Sequence, residues 1–106
     1  MIEQIKNDII AVLNELLDVL KARDDVDIAH IKELSNHIIH NASVFQDEDS
    51  VSIAVLIYSL SKIMERNDRE LNYGRLSSMI KSCTSDLKSN NDEGFRKSVK
   101  NIFNFI

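Results

Sequence analysis

The 106-residue chain has no proline, no tryptophan, two glycines and one cysteine. Each shortage excludes something. Turns between strands draw on Gly and Pro, so a chain almost without them has little with which to build a sheet, and an all-α fold follows. Cys83 alone permits neither an intramolecular disulfide nor a thiolate metal cluster. It falls in the apolar stripe of its helix and reads as a small buried hydrophobe. No Gly-rich loop is present to cradle a phosphate, which argues against ATP or GTP hydrolysis. No nucleophile elbow accompanies the serines, histidines and aspartates, so no catalytic residue is assigned. Uncharged runs fall well short of the roughly 20 residues a membrane span needs. The N-terminal MIEQIKND carries acids where a signal peptide has a basic region. The expectation is a soluble, cytoplasmic protein without a membrane partner.

What is present is a hydrophobic fraction of 43%, enough for a core without disulfide staples and, at this length, for a single helical-bundle domain over 1–106. The bundle is organised around the stretch DEDSVSIAVLIYSLSKIM. No charge falls between Asp49 and Lys62, and apolar residues there point in every direction. A helix apolar on most sides is buried on most sides. This predicts a central helix over about 47–66, with Asp47, Asp49 or Ser50 as its cap. Its serines, Ser50, Ser52, Ser59 and Ser61, are small enough, with Ala54, to let neighbours approach.

Helix 1 is predicted over about 2–22. Ile2, Ile5, Ile9, Val12, Leu16 and Val19 form a heptad seam, widened by Ile10, Leu13, Leu17 and Leu20. Helix 2 runs over about 27–45, with Ile28, Ile31, Leu34, Ile38, Ala42 and Phe45 facing inward. The N-x-x-E pattern of a capping box occurs at Asn67–Glu70 and again at Asn90–Glu93. Helix 4 is placed between them, starting at Arg69 or, if Gly74 breaks it, at Arg75. Its inner stripe is Leu76, Met79, Ile80, Cys83 and Leu87. Helix 5 follows from about 92, with Phe95, Val99, Ile102, Phe103 and Ile106 inward.

The formal net charge of −4 argues against a general nucleic-acid binder, but the distribution is uneven. Residues 1–50 hold 4 basic and 11 acidic side chains, and residues 51–106 hold 9 basic and 6 acidic. The basic side chains of helices 4 and 5 (among them Arg75, Lys81, Lys88, Arg96, Lys97 and Lys100) offer a nucleic-acid face, diluted by interspersed acids.

The sharpest chemical feature is a flank of helix 2. Glu33 and His37 are spaced i,i+4, and His37 and His40 i,i+3, which sets ligating atoms side by side as in helical zinc or iron sites. A divalent metal at Glu33, His37 and His40 is therefore one candidate cofactor. The flank lacks the inward carboxylates and histidines that other helices supply to helical di-metal sites.

Two motifs carry family resemblances. Arg23 and His30, with six residues between them and Asp24 after the arginine, resemble the Arg-to-His motif of HEPN-family ribonucleases. That likeness implies a histidine that activates a ribose 2′-OH and an arginine that steadies the phosphate. Together with the metal-ligand spacing, the alternative function is a metal- or RNA-directed hydrolase using the His30, His37 and His40 flank. Ala42, Phe45, Ala54, Tyr58 and Ser61 follow the small/aromatic rhythm of a tetratricopeptide hairpin, which implies two tightly packed antiparallel helices. The block from Leu34 to Ile63 also resembles a segment of small uncharacterised archaeal helical proteins, which implies no activity.

The reading that best fits these features is a non-enzymatic helical protein–protein interaction module, a homodimer or small adaptor subunit. Its expected interface is the apolar surplus that a small bundle cannot cover: Ile2, Ile9, Leu13 and Leu17 on helix 1, and Phe105 and Ile106 at the C-terminal end.

Overall fold

The computed structural model describes residues 2–22, 28–66 and 72–106. Five helices account for nearly all of them: α1 (Glu3–Ala22), α2 (Ile28–Val44), α3 (Glu48–Glu65), α4 (Tyr73–Lys88) and α5 (Asp92–Phe105). The described residues contain no strand. α3 packs against α1, α2 and α5, and α1 packs against α2, α3 and α4. The expected central helix is therefore α3, with α1 beside it. A helix of 20 residues is about 30 Å long, so α1 runs nearly the full 34 Å of the molecule.

The core follows the predicted stripes. Ile5, Ile9, Val12, Leu13, Leu16, Val19 and Leu20 are buried on α1, and Ile53, Ala54, Leu56, Ile57 and Leu60 on α3. α2 and α3 are the most extensively packed pair, because Ala42 and Ala54 are both fully buried and let the backbones close. Polar groups carried into the core supply their own partners. The hydroxyls of Ser35, Ser61 and Thr84 donate to the carbonyls of Ile31, Ile57 and Ile80 at 2.7–2.8 Å.

The α2–α3 and α4–α5 junctions are built alike. In the first, Gln46 adopts φ 55°; its N–H donates to Ser43 O, and the Asp47 N–H donates to Ala42 O. In the second, Asn90 adopts φ 58°; its N–H donates to Leu87 O, and the Asn91 N–H donates to Asp86 O. Both are Schellman closures made without glycine. In each, the next residue turns round and caps the following helix. Asp47 Oδ1 accepts from Ser50 N at 3.3 Å, and Asn91 Oδ1 accepts from Gly94 N at 3.1 Å. Gly94 leaves room for the second cap, since a Cβ there would lie 2.5 Å from Asn91 Nδ2.

Several boundary expectations are corrected. α4 starts at Tyr73, where Asn72 Oδ1 accepts from Arg75 N at 3.0 Å; the box at Asn67–Glu70 lies outside the described residues. The α5 cap is Asn91 rather than Asn90, because Asn90 is taken by the left-handed closure of α4. Phe45 is 61% exposed instead of inward, since α2 ends at Val44 and the chain turns away from the core at Gln46. Phe103 is 39% exposed; Val99 and Ile102 carry the inner face of α5.

Helix directions follow from the side-chain contacts. Glu15 meets His30, so α1 and α2 are antiparallel. Lys6 reaches Asn90 while Leu17 and Lys21 lie level with Tyr73 and Ser77, so α1 and α4 are antiparallel too. α3 and α5 run parallel, with Asp49 against Arg96 in their first turns. The starts of α1, α3 and α5 therefore share one end of the bundle with both Schellman junctions.

Candidate interaction surface

The end where three helices begin is acidic for a local reason. Carboxylates are favoured near free backbone N–H groups in a first turn by about 0.3–1 kcal/mol each. Glu3 opens α1, Glu48 and Asp49 open α3, and Asp92 and Glu93 open α5. Lys6, Lys88 and, in the second turn of α5, Arg96 and Lys97 are the basic residues near this end, and Lys6 donates to Asn90 Oδ1. Asp49 is neutralised by Arg96, whereas Glu3, Glu48, Asp92 and Glu93 are exposed.

Apolar side chains stand among these acids. Val44 is 70% exposed and Phe45 is 61% exposed, consecutive residues at the junction, and Ile2 is 39% exposed. Ile2 precedes the start of α1 and Val44 ends α2, and these two antiparallel helix termini lie at the same end of the bundle. At 100° per residue Val44 lies roughly 160° from the buried stripe of α2, on the side occupied by Glu33, His37 and His40. That position was readable from the sequence. The exposure of Phe45 was not, because it depends on the left-handed turn at Gln46.

The interface residues expected from sequence divide. Ile9 and Leu13 are 0% and 1% exposed and belong to the core; α1 is covered on three sides, so they are no surface at all. Leu17 is half-buried and floors an open trough of about 710 Å³ between α1 and α4. Phe105 and Ile106 pack partly against the core, and the Arg75 guanidinium covers the Phe105 ring at 5.4 Å. Of the six, Ile2 alone adds exposed area to the apolar end.

The predicted metal residues are not assembled into a site. Glu33, His37 and His40 are exposed along one helix, and His37 Nε2 lies 3.3 Å from Asn41 Nδ2. Among the described residues, no group of three or more His, Cys, Asp or Glu side chains is placed to hold a metal ion. His30 is drawn away to α1, where its Nδ1 faces Glu15 Oε2 at 3.3 Å. Arg23, the other half of the ribonuclease-like spacing, lies outside the described residues.

A shallow depression of about 250 Å³ lies between α3 and α5, with Val99 and Phe95 below and Arg96, Lys100 and Phe103 at its margin. Buried Cys83 is no nucleophile: burial, with a lesser contribution from Asp86, pushes its thiol up to about 12. No described helix is long and apolar enough to cross a membrane.

Compared with protein-family models, curated proteins and solved structures, the chain matches none.

Proposed function

We propose that the chain is a helical protein–protein interaction module that docks a partner on the bundle end bearing Ile2, Val44 and Phe45. The observation that carries this reading is the pair of consecutive large apolar side chains, 70% and 61% exposed. Isolated exposed apolar residues are ordinary. Two in sequence, with a third at the same end of the bundle, are the start of a patch.

Magnitude limits what the patch does alone. Covering one such side chain is worth roughly 1.5–3 kcal/mol, so Val44 and Phe45 together reach about the 4 kcal/mol of a millimolar complex. A useful partner must add contacts beyond the apolar ones, and the surrounding charge is the nearest source. The metal- or RNA-directed reading draws less support, since His30 turns to Glu15 and His37 lies against Asn41.

The test compares the wild-type chain with the Val44→Ser/Phe45→Ser variant in the cells that natively make it, by size-exclusion profiles of the lysate. The wild type is expected in an assembly heavier than the 12.1 kDa monomer, and the variant at the monomer position with unchanged melting temperature. A wild-type chain that elutes only as monomer contradicts the proposal.

A further inference from the structure

We infer that the partner segment seated on this end is basic and amphipathic, an apolar anchor flanked by Lys or Arg, rather than a second copy of the chain. This deepens the interaction-module reading and rests on it. The apolar group Ile2, Val44 and Phe45 shares its end of the bundle with exposed Glu3, Glu48, Asp92 and Glu93. Against them stand Lys6, which is engaged with Asn90, Lys88, the last residue of α4, and Arg96 and Lys97 in the second turn of α5. The acids are there because three helices start together; Arg96 pairs with Asp49 and also lies in the field of Asp92 and Glu93, so Glu3 and Glu48, beside the apolar side chains, carry most of the remaining negative charge.

Charge decides between occupants. Two copies meeting tip to tip across a two-fold axis would set each acidic rim against itself, because such an interface is self-matching. Like charges brought together at an interface are unfavourable and turn away the wrong partner. A basic segment meets the same rim with attraction, which raises the rate of encounter and supplies the affinity that the small apolar patch lacks. Its apolar anchor would cover Phe45 and Val44, the most exposed large apolar side chains among the described residues.

The test is a titration of the isotope-labelled full chain, followed by amide resonances, with a designed Leu/Lys amphipathic peptide of about 16 residues. Its Leu/Glu counterpart has the same apolar face. The Leu/Lys peptide is expected to shift residues 2–6, 43–49 and 90–94. It should bind about tenfold tighter than the Leu/Glu peptide and lose affinity steadily as salt rises from about 50 to 500 mM. Phe45→Ser should weaken it about tenfold. Glu48→Gln with Glu93→Gln should weaken it and remove most of the salt dependence; circular dichroism checks that each variant is folded. Equal binding of both peptides, shifts centred on α4 and α5, or no binding at millimolar peptide overturns the inference. So does concentration-dependent self-association that Phe45→Ser abolishes. If the cellular assembly depends on Val44 and Phe45 while the basic peptide fails, the partner's chemistry is wrong and the interaction module stands.

Discussion

Arg96 and Asp49 join α5 to α3 across 47 residues of sequence, through three hydrogen bonds: Arg96 Nε donates to both carboxylate oxygens at 3.1 Å and Nη2 to Oδ2 at 3.0 Å. The hydrogen bonds first, and then the charge of Asp49, hold the guanidinium more firmly protonated than usual. No other ion pair among the described residues links these two helices. Removing either partner should lower the melting temperature. A double-mutant cycle with Asp49→Asn and Arg96→Gln should show a favourable coupling that shrinks in 1 M salt, as exposed pairs do. A cycle that closes with no coupling at low salt would show that packing alone holds α5.

The two junctions make the same demand on residues without glycine's freedom. A left-handed conformation costs an ordinary L-residue roughly 1–2 kcal/mol, and Asn less than most. Gln46→Gly is expected to raise the unfolding free energy by about 1 kcal/mol, and Asn90→Gly by less, both measured by urea denaturation. A loss of stability in Gln46→Gly would contradict the closure described for α2.

Cys83 gives a prediction in pH. Its folded thiol is raised from 9.0 to about 12, so the native state resists ionisation that the unfolded chain accepts. The contribution is fully present below pH 9 and falls as pH rises from there, by about 1.4 kcal/mol per unit at most. Thiol reagents at pH 8 should leave Cys83 untouched until the protein is unfolded. Cys83→Ala should flatten the alkaline loss. Rapid labelling of the native protein would place the thiol at the surface.

Core and surface residues should separate cleanly. Leu13→Ala deletes a buried side chain and is expected to cost about 2–5 kcal/mol. Ala54→Leu overfills the α2–α3 contact and is expected to cost about 1–3 kcal/mol. Val44→Ser and Phe45→Ser should each lie within about 0.5 kcal/mol of wild type, and should change association alone. Denaturation curves of the four variants check this. A wild-type-like Leu13→Ala would return α1 to the surface.

The all-α class, the number of helices and the central place of residues 47–66 were legible because they rest on composition and period. The buried stripe of α3 and most of that of α1 follow directly from apolar spacing. Where the chain turns was harder to read. Gln46 and Asn90 adopt left-handed backbone that the sequence marks with no glycine, so periodicity alone puts Phe45 inside and the N-x-x-E pattern alone makes Asn90 a cap. Asn72 was overlooked because Asn67 offered a better-looking box five residues earlier. On α1 the width of the stripe is demand and not surplus: a helix covered by α2, α3 and α4 needs Ile9 and Leu13 for its own core. The candidate surface was only partly legible, through Ile2, since the gathering of three acidic helix starts at one end depends on helix directions.

The most direct test of the central claim is photo-crosslinking in the cells that natively make the protein. A photoreactive phenylalanine analogue is placed at position 45 and, as a control, at exposed Ser82 on α4. The account predicts one discrete adduct from position 45, absent from position 82, and lost when Glu48 and Glu93 are changed to Lys. Adducts of equal yield from both positions, or none from position 45, would contradict it.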